Sequence, residues 1–271
     1  MAREAIKVYW WRWLDAQLGN VGDEFSLIVI QYLTGRRVEW SSEAECELIG
    51  AGSIIEGVLE RGAGNMPKVW GSGFIEPPRA TGQCLGASQV LAARGQVSRT
   101  RLVAGGKADC PLGDPGVLAA LMYPGRPARK WRLGVVAHYI DEDHPLVHEL
   151  GHQAQVCIIS VRLPPSEFAA QIAACDAVVS SSLHGLIFAD SLGVPNAHIR
   201  SSDRVAGDGY KFRDYYSAYP GESRERQVPL EIMGSGSAPK LGDWVHEKFV
   251  LPVGVEDLQE GLVVALRDGT R

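Results

Sequence analysis

Short apolar runs separated by glycine-rich turns make up most of the first half of the chain. Ile6–Trp11, Val38–Trp40, Glu47–Ile49 and Lys68–Trp70 read as strands, with Gln89–Arg94 and Ala108–Leu112 as further short ones. From Glu24 to Leu33 the apolar positions recur at helical spacing, after a turn, Asn20-Val21-Gly22-Asp23, that can cap a helix. Gly50-Ala51-Gly52-Ser53 follows one strand and opens a short helical stretch, and Gly71-Ser72-Gly73 closes another strand. Repetition of strand, glycine turn and helix predicts a parallel α/β sheet.

Tyr123–Lys130 breaks this rhythm with prolines, a glycine and basic residues, as a linker between domains does. The chain is therefore divided into residues 1–125 and 126–271. Beyond the break, Leu133–Ala137, Val156–Val161, Ala177–Ser180 and Asn196–Ile199 read as strands. Pro145–Ala154, Ser166–Cys175 (capped by Ser166) and Leu183–Leu192 read as helices. Near-continuous apolar strands imply a sheet covered on both faces. A polar, aromatic segment runs from Arg200 to Met233, and Val255–Leu266 has helical spacing, which would let a C-terminal helix pack back on the first domain.

Composition narrows the function. The chain has 271 residues, 45% hydrophobic, with 27 Lys+Arg against 32 Asp+Glu and a formal net charge of −5. That much apolar material excludes a disordered chain, and the acidic balance argues against a general nucleic-acid binder. Cys46, Cys84, Cys110, Cys157 and Cys175 form no CxxC pair, so reduced thiols are expected rather than a disulfide framework or a zinc site. The first twenty residues lack the apolar core of a signal peptide, and no window offers the roughly 18–20 apolar residues of a membrane span. A cytoplasmic location is expected.

The sharpest chemistry lies in Ser180-Ser181-Ser182-Leu183-His184-Gly185-Leu186, a strand running through a serine turn into a helix. Free N–H groups and the dipole make such a helix start an anion site, and an imidazole in its first turn adds a titratable donor. Open parallel sheets bind ligands at these carboxyl ends of strands. A capped structural helix with a half-buried histidine accounts equally well for the local pattern. A competing motif is His148-Glu149-Leu150-Gly151-His152, which matches HExxH. His144 extends that face. Only Glu167 could serve as a downstream third ligand, and it lies beyond an intervening strand, so no metal site is expected.

The segment Ser180–Pro195 resembles the signature of the polysaccharide pyruvyltransferases. Asn20-x-Gly22-Asp23, Gly50-x-Gly52-Ser53, Trp70-Gly71-Ser72-Gly73, Arg94-Gly95-x-x-Ser98, Gly113-Asp114-Pro115-Gly116, His138 and Asp208–Tyr216 follow that family's order. Its short length and opening make the chain most similar to the ketal pyruvate transferases of bacterial exopolysaccharides such as xanthan. The resemblance implies two Rossmann-like domains arranged as in GT-B glycosyltransferases, with the active site in the cleft between them. It implies phosphoenolpyruvate as co-substrate, no resident cofactor, and a cyclic pyruvate ketal formed on two sugar hydroxyls. Arg94, Ser182, His184 and Lys211 would grip phosphoenolpyruvate from the second-domain side. Arg94, His184 and Lys211 would act in catalysis, with His184 the first candidate for proton transfer. Asn20, Asp23 and His138 would meet the acceptor, although Asp23 can equally serve as a helix cap, His138 as a structural histidine, and Asp114 as a turn residue. The acceptor would be a lipid-linked oligosaccharide met at the inner membrane face, where the Trp10-Trp11-Arg12-Trp13 cluster could stack on sugar or touch the membrane surface. Two other readings stay open: a nucleotide-sugar glycosyltransferase of the same shape, and a zinc metalloprotease built on HExxH.

Overall fold

The computed structural model describes residues 4–12, 19–61, 66–78, 89–102, 109–220 and 226–271. Trp13, Cys84 and Ala108 lie outside these residues. The first half runs β1 (Ile6–Tyr9), α1 (Val21–Thr34), β2 (Val38–Trp40), β3 (Leu48–Ile49), α2 (Ile55–Arg61), β4 (Lys68–Trp70), β5 (Val90–Ala92) and α3 (Gln96–Leu102). A 3-10 turn, Pro115–Leu118, leads into α4 (Ala119–Met122). The second half runs β6 (Trp131–Val136), α5 (Pro145–Gly151), β7 (Val156–Ile158), α6 (Pro165–Ala173), β8 (Cys175–Ser180), α7 (Leu183–Ser191) and β9 (Asn196–His198). Four helices close the chain: α8 (Tyr210–Tyr216), α9 (Leu230–Met233), α10 (Ala238–Lys248) and α11 (Val255–Gly269).

The strands form two sheets, one of five strands in the order β2-β1-β3-β4-β5 and one of four in the order β7-β6-β8-β9. The named pairings in both are parallel. This is the mixed α/β architecture with parallel sheets that the strand–turn–helix rhythm predicts. The exposed Tyr123–Lys130 segment, which carries no helix or strand, runs between α4 and β6.

Several boundaries move, each for a local reason. Strand β1 stops at Tyr9, because the Trp10 carbonyl accepts the Trp40 indole N–H at 3.1 Å instead of a ladder bond. Helix α1 starts at Val21, three residues before the apolar periodicity, since Asn20 Oδ1 accepts the Gly22 N–H at 3.1 Å. Ser166 is not a cap: α6 begins after Pro164, whose fixed φ starts the helix, and Ser166 sits inside the first turn. The Val156–Val161 strand shortens to Val156–Ile158 and is an edge strand, so Ile158 faces solvent, whereas the opposite edge strand β9 is buried throughout. Ala108–Leu112 contributes a single bridge, Leu112 to Ala93.

One continuous apolar cluster joins side chains from both sheets, including Val8 and Trp70 from the first and Val136 and Val178 from the second. The Pro115–Leu118 turn packs among α1, α7 and α11, and α1 packs on α6. Helix α11 lies against α1, β4 and β5, where the Leu262 carbonyl accepts the buried Trp70 indole N–H at 2.9 Å. Cys46, Cys110, Cys157 and Cys175 are free thiols. Among the described residues, no helix is long and apolar enough to cross a membrane.

Candidate active site

The carboxyl ends of β3, β6 and β8 open onto one cavity. Asn20, Asp23, His138, Ser182, His184 and Lys211 all line it, as do Ser53, Trp11 and Tyr139. Side chains separated by up to 200 positions in sequence thus share one small space. The cavity lies between the starts of α1 and α7, so backbone N–H groups of two helices are oriented toward it.

The two helix starts touch. The His184 ring lies flat against the backbone of Gly22: a Cβ built there would stand 2.0 Å from Nδ1. Only glycine leaves room for the ring. Ser182 occupies the cap position of α7 but makes no capping bond with its side chain, which leaves its hydroxyl available to the cavity. Asn20 takes the capping role in α1, which frees the Asp23 carboxyl from it. Asp23 is buried beside Gly52, where a Cβ would meet Oδ1 at 2.6 Å.

Lys211 supplies the cavity's positive charge. It is 8% exposed, and among the described residues it forms no salt bridge or hydrogen bond. Burial first, then the nearby Arg94 guanidinium, pulls its pKa down to about 8, while Asp23 and Asp141 push the other way. The surrounding histidines register the same field. His138 is pushed down to about 3 by burial, then by Lys211 and His184, and is neutral. His198 is pushed down to about 3 by burial, then by Lys211 and Arg200. His184 is lowered by burial, with Asp114 opposing and Lys211 and Arg94 adding to the shift. Its Nε2 stands 3.9 Å from Asp114 Oδ1, and among the described residues neither Nε2 nor Asp114 Oδ2 has a hydrogen-bond partner. Asp23 moves in the opposite direction for a carboxyl, well above its ordinary value, through burial and then the nearby Asp114 and Glu24. The cavity therefore joins an unpaired buried ammonium, a neutral imidazole and a carboxyl whose affinity for its proton is raised by burial. Such groups together suit a small anion and proton transfer beside it.

Arg94 stands one layer behind the cavity wall rather than in it. It is fully buried, and its donors are engaged: Nε with Asp214 at 2.8 Å, one terminal nitrogen with Ser53 Oγ, the other with the Phe74 carbonyl at 2.6 Å. Ser98 completes this clamp, donating from its backbone N–H at 2.8 Å and its hydroxyl at 2.6 Å to the same Asp214 carboxylate. Gly73 and Gly95 make room for it, since a Cβ at Gly73 would meet the guanidinium at 2.3 Å and one at Gly95 would strike the Asp214 carbonyl. The Arg94-Gly95-x-x-Ser98 spacing is thus the socket for Asp214, one helical turn from Lys211 on α8. Asp214 itself was legible only as part of the Asp208–Tyr216 run. Its role depends on a partner 120 residues away.

The remaining candidates resolve as follows. His138 caps the 3-10 turn Tyr139–Asp141, Nδ1 accepting the Ile140 N–H at 3.3 Å, which leaves the ring proton on Nε2. Asp114 caps the Pro115–Leu118 turn through Oδ1 while also facing His184. Trp11 stacks on Tyr139 with ring centres 6.0 Å apart. In the HExxH segment, His144 is the cap of α5, and the Glu149 carboxylate lies against the Gly236 backbone. Among the described residues, no group of three or more His, Cys, Asp or Glu is placed to hold a metal.

Comparison with known proteins bears on the same region. Residues 69–203 match the family model described as polysaccharide pyruvyl transferase. That interval contains Arg94, His138, Ser182 and His184. An uncharacterized protein of Acanthamoeba polyphaga mimivirus is 35% identical over 115 residues, a match covering 40% of this chain and 39% of the relative.

Proposed function

From a chain that belongs to the polysaccharide pyruvyl transferase family, we propose an enzyme that moves pyruvate from phosphoenolpyruvate onto two hydroxyls of a sugar, releasing phosphate and closing a cyclic ketal. The observation that carries this reading is the unpaired, buried Lys211 ammonium facing His184 and Asp23 across one cavity. Phosphoenolpyruvate carries a phosphate and a carboxylate, and a fixed cation in a low-dielectric site is what such a ligand requires.

The donor lies with its anionic groups toward Lys211, Ser182 and the α7 N-terminus, and Arg94 adds charge from behind Ser53. Asp23, the group that holds its proton, protonates the methylene carbon, and C2 becomes electron-poor. An acceptor hydroxyl attacks C2 as its proton passes to neutral His184. The C2–O bond to phosphorus then breaks with its electron pair on phosphate, which takes the proton from His184. The second hydroxyl closes on C2 and returns a proton to Asp23. Asn20 and His138 Nε2–H line the same space and would orient the reacting hydroxyls.

On this reading the two sheets are the Rossmann-like halves of a GT-B-like enzyme, residues 1–125 serving the acceptor and 126–271 the donor, with no resident cofactor or metal. The acceptor is a lipid-linked exopolysaccharide unit, of the kind built for xanthan, met in the cytoplasm at the membrane face.

Incubation with phosphoenolpyruvate and a panel of methyl glycosides tests the reaction. Phosphate and a ketal should form in equal amounts with the wild-type protein and be lost in His184→Ala while the fold is kept. Near-wild-type turnover by His184→Ala would sink the assignment. Asp23→Asn should stop proton incorporation at the methylene carbon from deuterated water, whereas His184→Ala should retain part of it.

A further inference from the structure

The Gly113-Asp114-Pro115-Gly116 turn belongs to the first half of the chain, yet it is locked onto α7, the helix that carries His184. Ser191, at the far end of α7, donates to the Val117 carbonyl at 2.6 Å and accepts the Ala120 N–H at 2.9 Å. Gly116 lies against Ile187, where a Cβ would stand 2.8 Å from Cγ2. At the near end of the helix this docking sets Asp114, 0% exposed, beside the imidazole. Its Oδ1 accepts the Gly116 N–H at 2.9 Å and stands 3.9 Å from His184 Nε2. Its Oδ2 and that Nε2 are both buried, and among the described residues neither has a hydrogen-bond partner. Buried polar atoms are nearly always paired, and hydrogen bonds used in catalysis are often long until the reacting complex forms. An open carboxylate oxygen and an open ring nitrogen in one place therefore read as a pair that tightens when charge appears on the ring.

The other ring nitrogen is placed differently. Among the described residues Nδ1 also lacks a partner, but unlike Nε2 it is not sealed from the cavity that His184 lines. A neutral imidazole carries one N–H and one lone pair. A lone pair on Nε2 would point at a carboxylate in a low-dielectric wall, where like charges repel strongly. An N–H on Nε2 instead turns a donor toward an acceptor and leaves the lone pair on Nδ1, open to the cavity. We propose that Asp114 is a positioning residue, whose carboxylate holds His184 in the Nε2–H tautomer and steadies the imidazolium formed when Nδ1 takes a proton. Burial disfavours that imidazolium, and Lys211 and Arg94 add to the effect; among the described residues Asp114 is the group that acts in its favour. The use of Nδ1 as the base rests on the pyruvyl-transfer reading; the tautomer does not. On that reading the acceptor O–H bond breaks as its oxygen bonds to C2, and the proton goes to Nδ1. It leaves Nδ1 for the departing phosphate, while the Nε2 proton stays in place facing Asp114.

Nitrogen NMR of the full chain, isotopically labelled in its histidine rings, tests the tautomer without any substrate, the His184 signals being those lost in His184→Gln. The wild type should show a protonated Nε2 and a bare Nδ1. Asp114→Asn should reverse them: the asparagine oxygen can keep the Gly116 cap, so its NH2 faces Nε2 and drives the ring proton to Nδ1. The melting temperature of Asp114→Asn should match the wild type. Its kcat for ketal formation should fall about 100-fold or more, with KM for phosphoenolpyruvate within about twofold. An Asp114 that only caps its turn predicts the wild-type tautomer and the wild-type kcat in this variant. A proton on Nδ1 in the wild type, an unchanged tautomer in Asp114→Asn, or wild-type turnover by that variant overturns the assignment. Should Asp114→Asn fail to fold, the tautomer of the wild type decides alone. The predicted tautomers in a protein that forms no ketal on any glycoside would overturn the transfer reading and uphold the pairing.

Discussion

At the scale of single residues, Lys211 decides the cavity's electrostatics and makes its binding depend on pH. The ammonium sits at about 8 in the free protein, below its ordinary 10.5, because it is buried beside Arg94 without a counter-ion. An anionic ligand favours the protonated form and raises that value, so the complex takes up protons near pH 8. Affinity for phosphoenolpyruvate should be nearly flat just below about pH 8 and fall about tenfold per unit above it, read by calorimetry across the range. Lys211→Met should remove the alkaline limb and weaken binding about 100-fold at neutral pH, the scale for truncating one partner of a buried charge pair. His184 belongs to the same field. Lowered by burial and its cationic neighbours, it suits the role of base in the proposed reaction.

At the scale of elements, contacts made by glycines hold the cavity together, and these separate what the chain pattern discloses from what it hides. An alanine at Gly22 should favour α1 by about 1 kcal/mol on helix propensity alone. Its Cβ would also invade the His184 ring. Gly22→Ala should therefore cut turnover sharply while leaving the melting temperature equal or lower; a more stable and fully active variant would refute the contact. The Arg94–Asp214–Ser98 clamp makes a second prediction. Asp214→Ala strands a buried guanidinium and should cost about 3–5 kcal/mol of stability, measured by urea unfolding. The double change Arg94→Met with Asp214→Leu should recover much of that stability. Residual phosphoenolpyruvate affinity in the double variant then reports how much Arg94 contributes to the ligand beyond its role as a strut.

The rhythm of strand and glycine turn was readable because period and turn residues are local. The start of α7 and the grouping of Asn20, Asp23, His138, Ser182, His184 and Lys211 followed from strand-end logic and family order. Helices α3 and α8 went unread within polar or aromatic stretches, and α10 went unread although its buried residues, Ala238, Leu241, Gly242 and Val245, recur at helical spacing. The place of Arg94 behind the wall could not be read either, because a fork that can hold a ligand can equally hold an aspartate 120 positions away.

At the scale of the whole molecule, a chain with a net charge of −5 nonetheless buries one ammonium, Lys211, that forms no salt bridge among the described residues. Two parallel sheets share a core through the Pro115–Leu118 turn, and α11 is tied to the first sheet by the Trp70 indole. The strand ends of both sheets thereby face one cavity, and the average charge says nothing about a ligand that needs only a few cations. The most direct test is a calorimetric titration of phosphoenolpyruvate into wild-type protein and Lys211→Met at about pH 8, where the free ammonium is half titrated, repeated in buffers of different ionisation enthalpy. One equivalent should bind the wild type with net proton uptake, and the variant should lose both the affinity and the uptake. No binding by the wild type, or equal binding by the two proteins, would contradict the account.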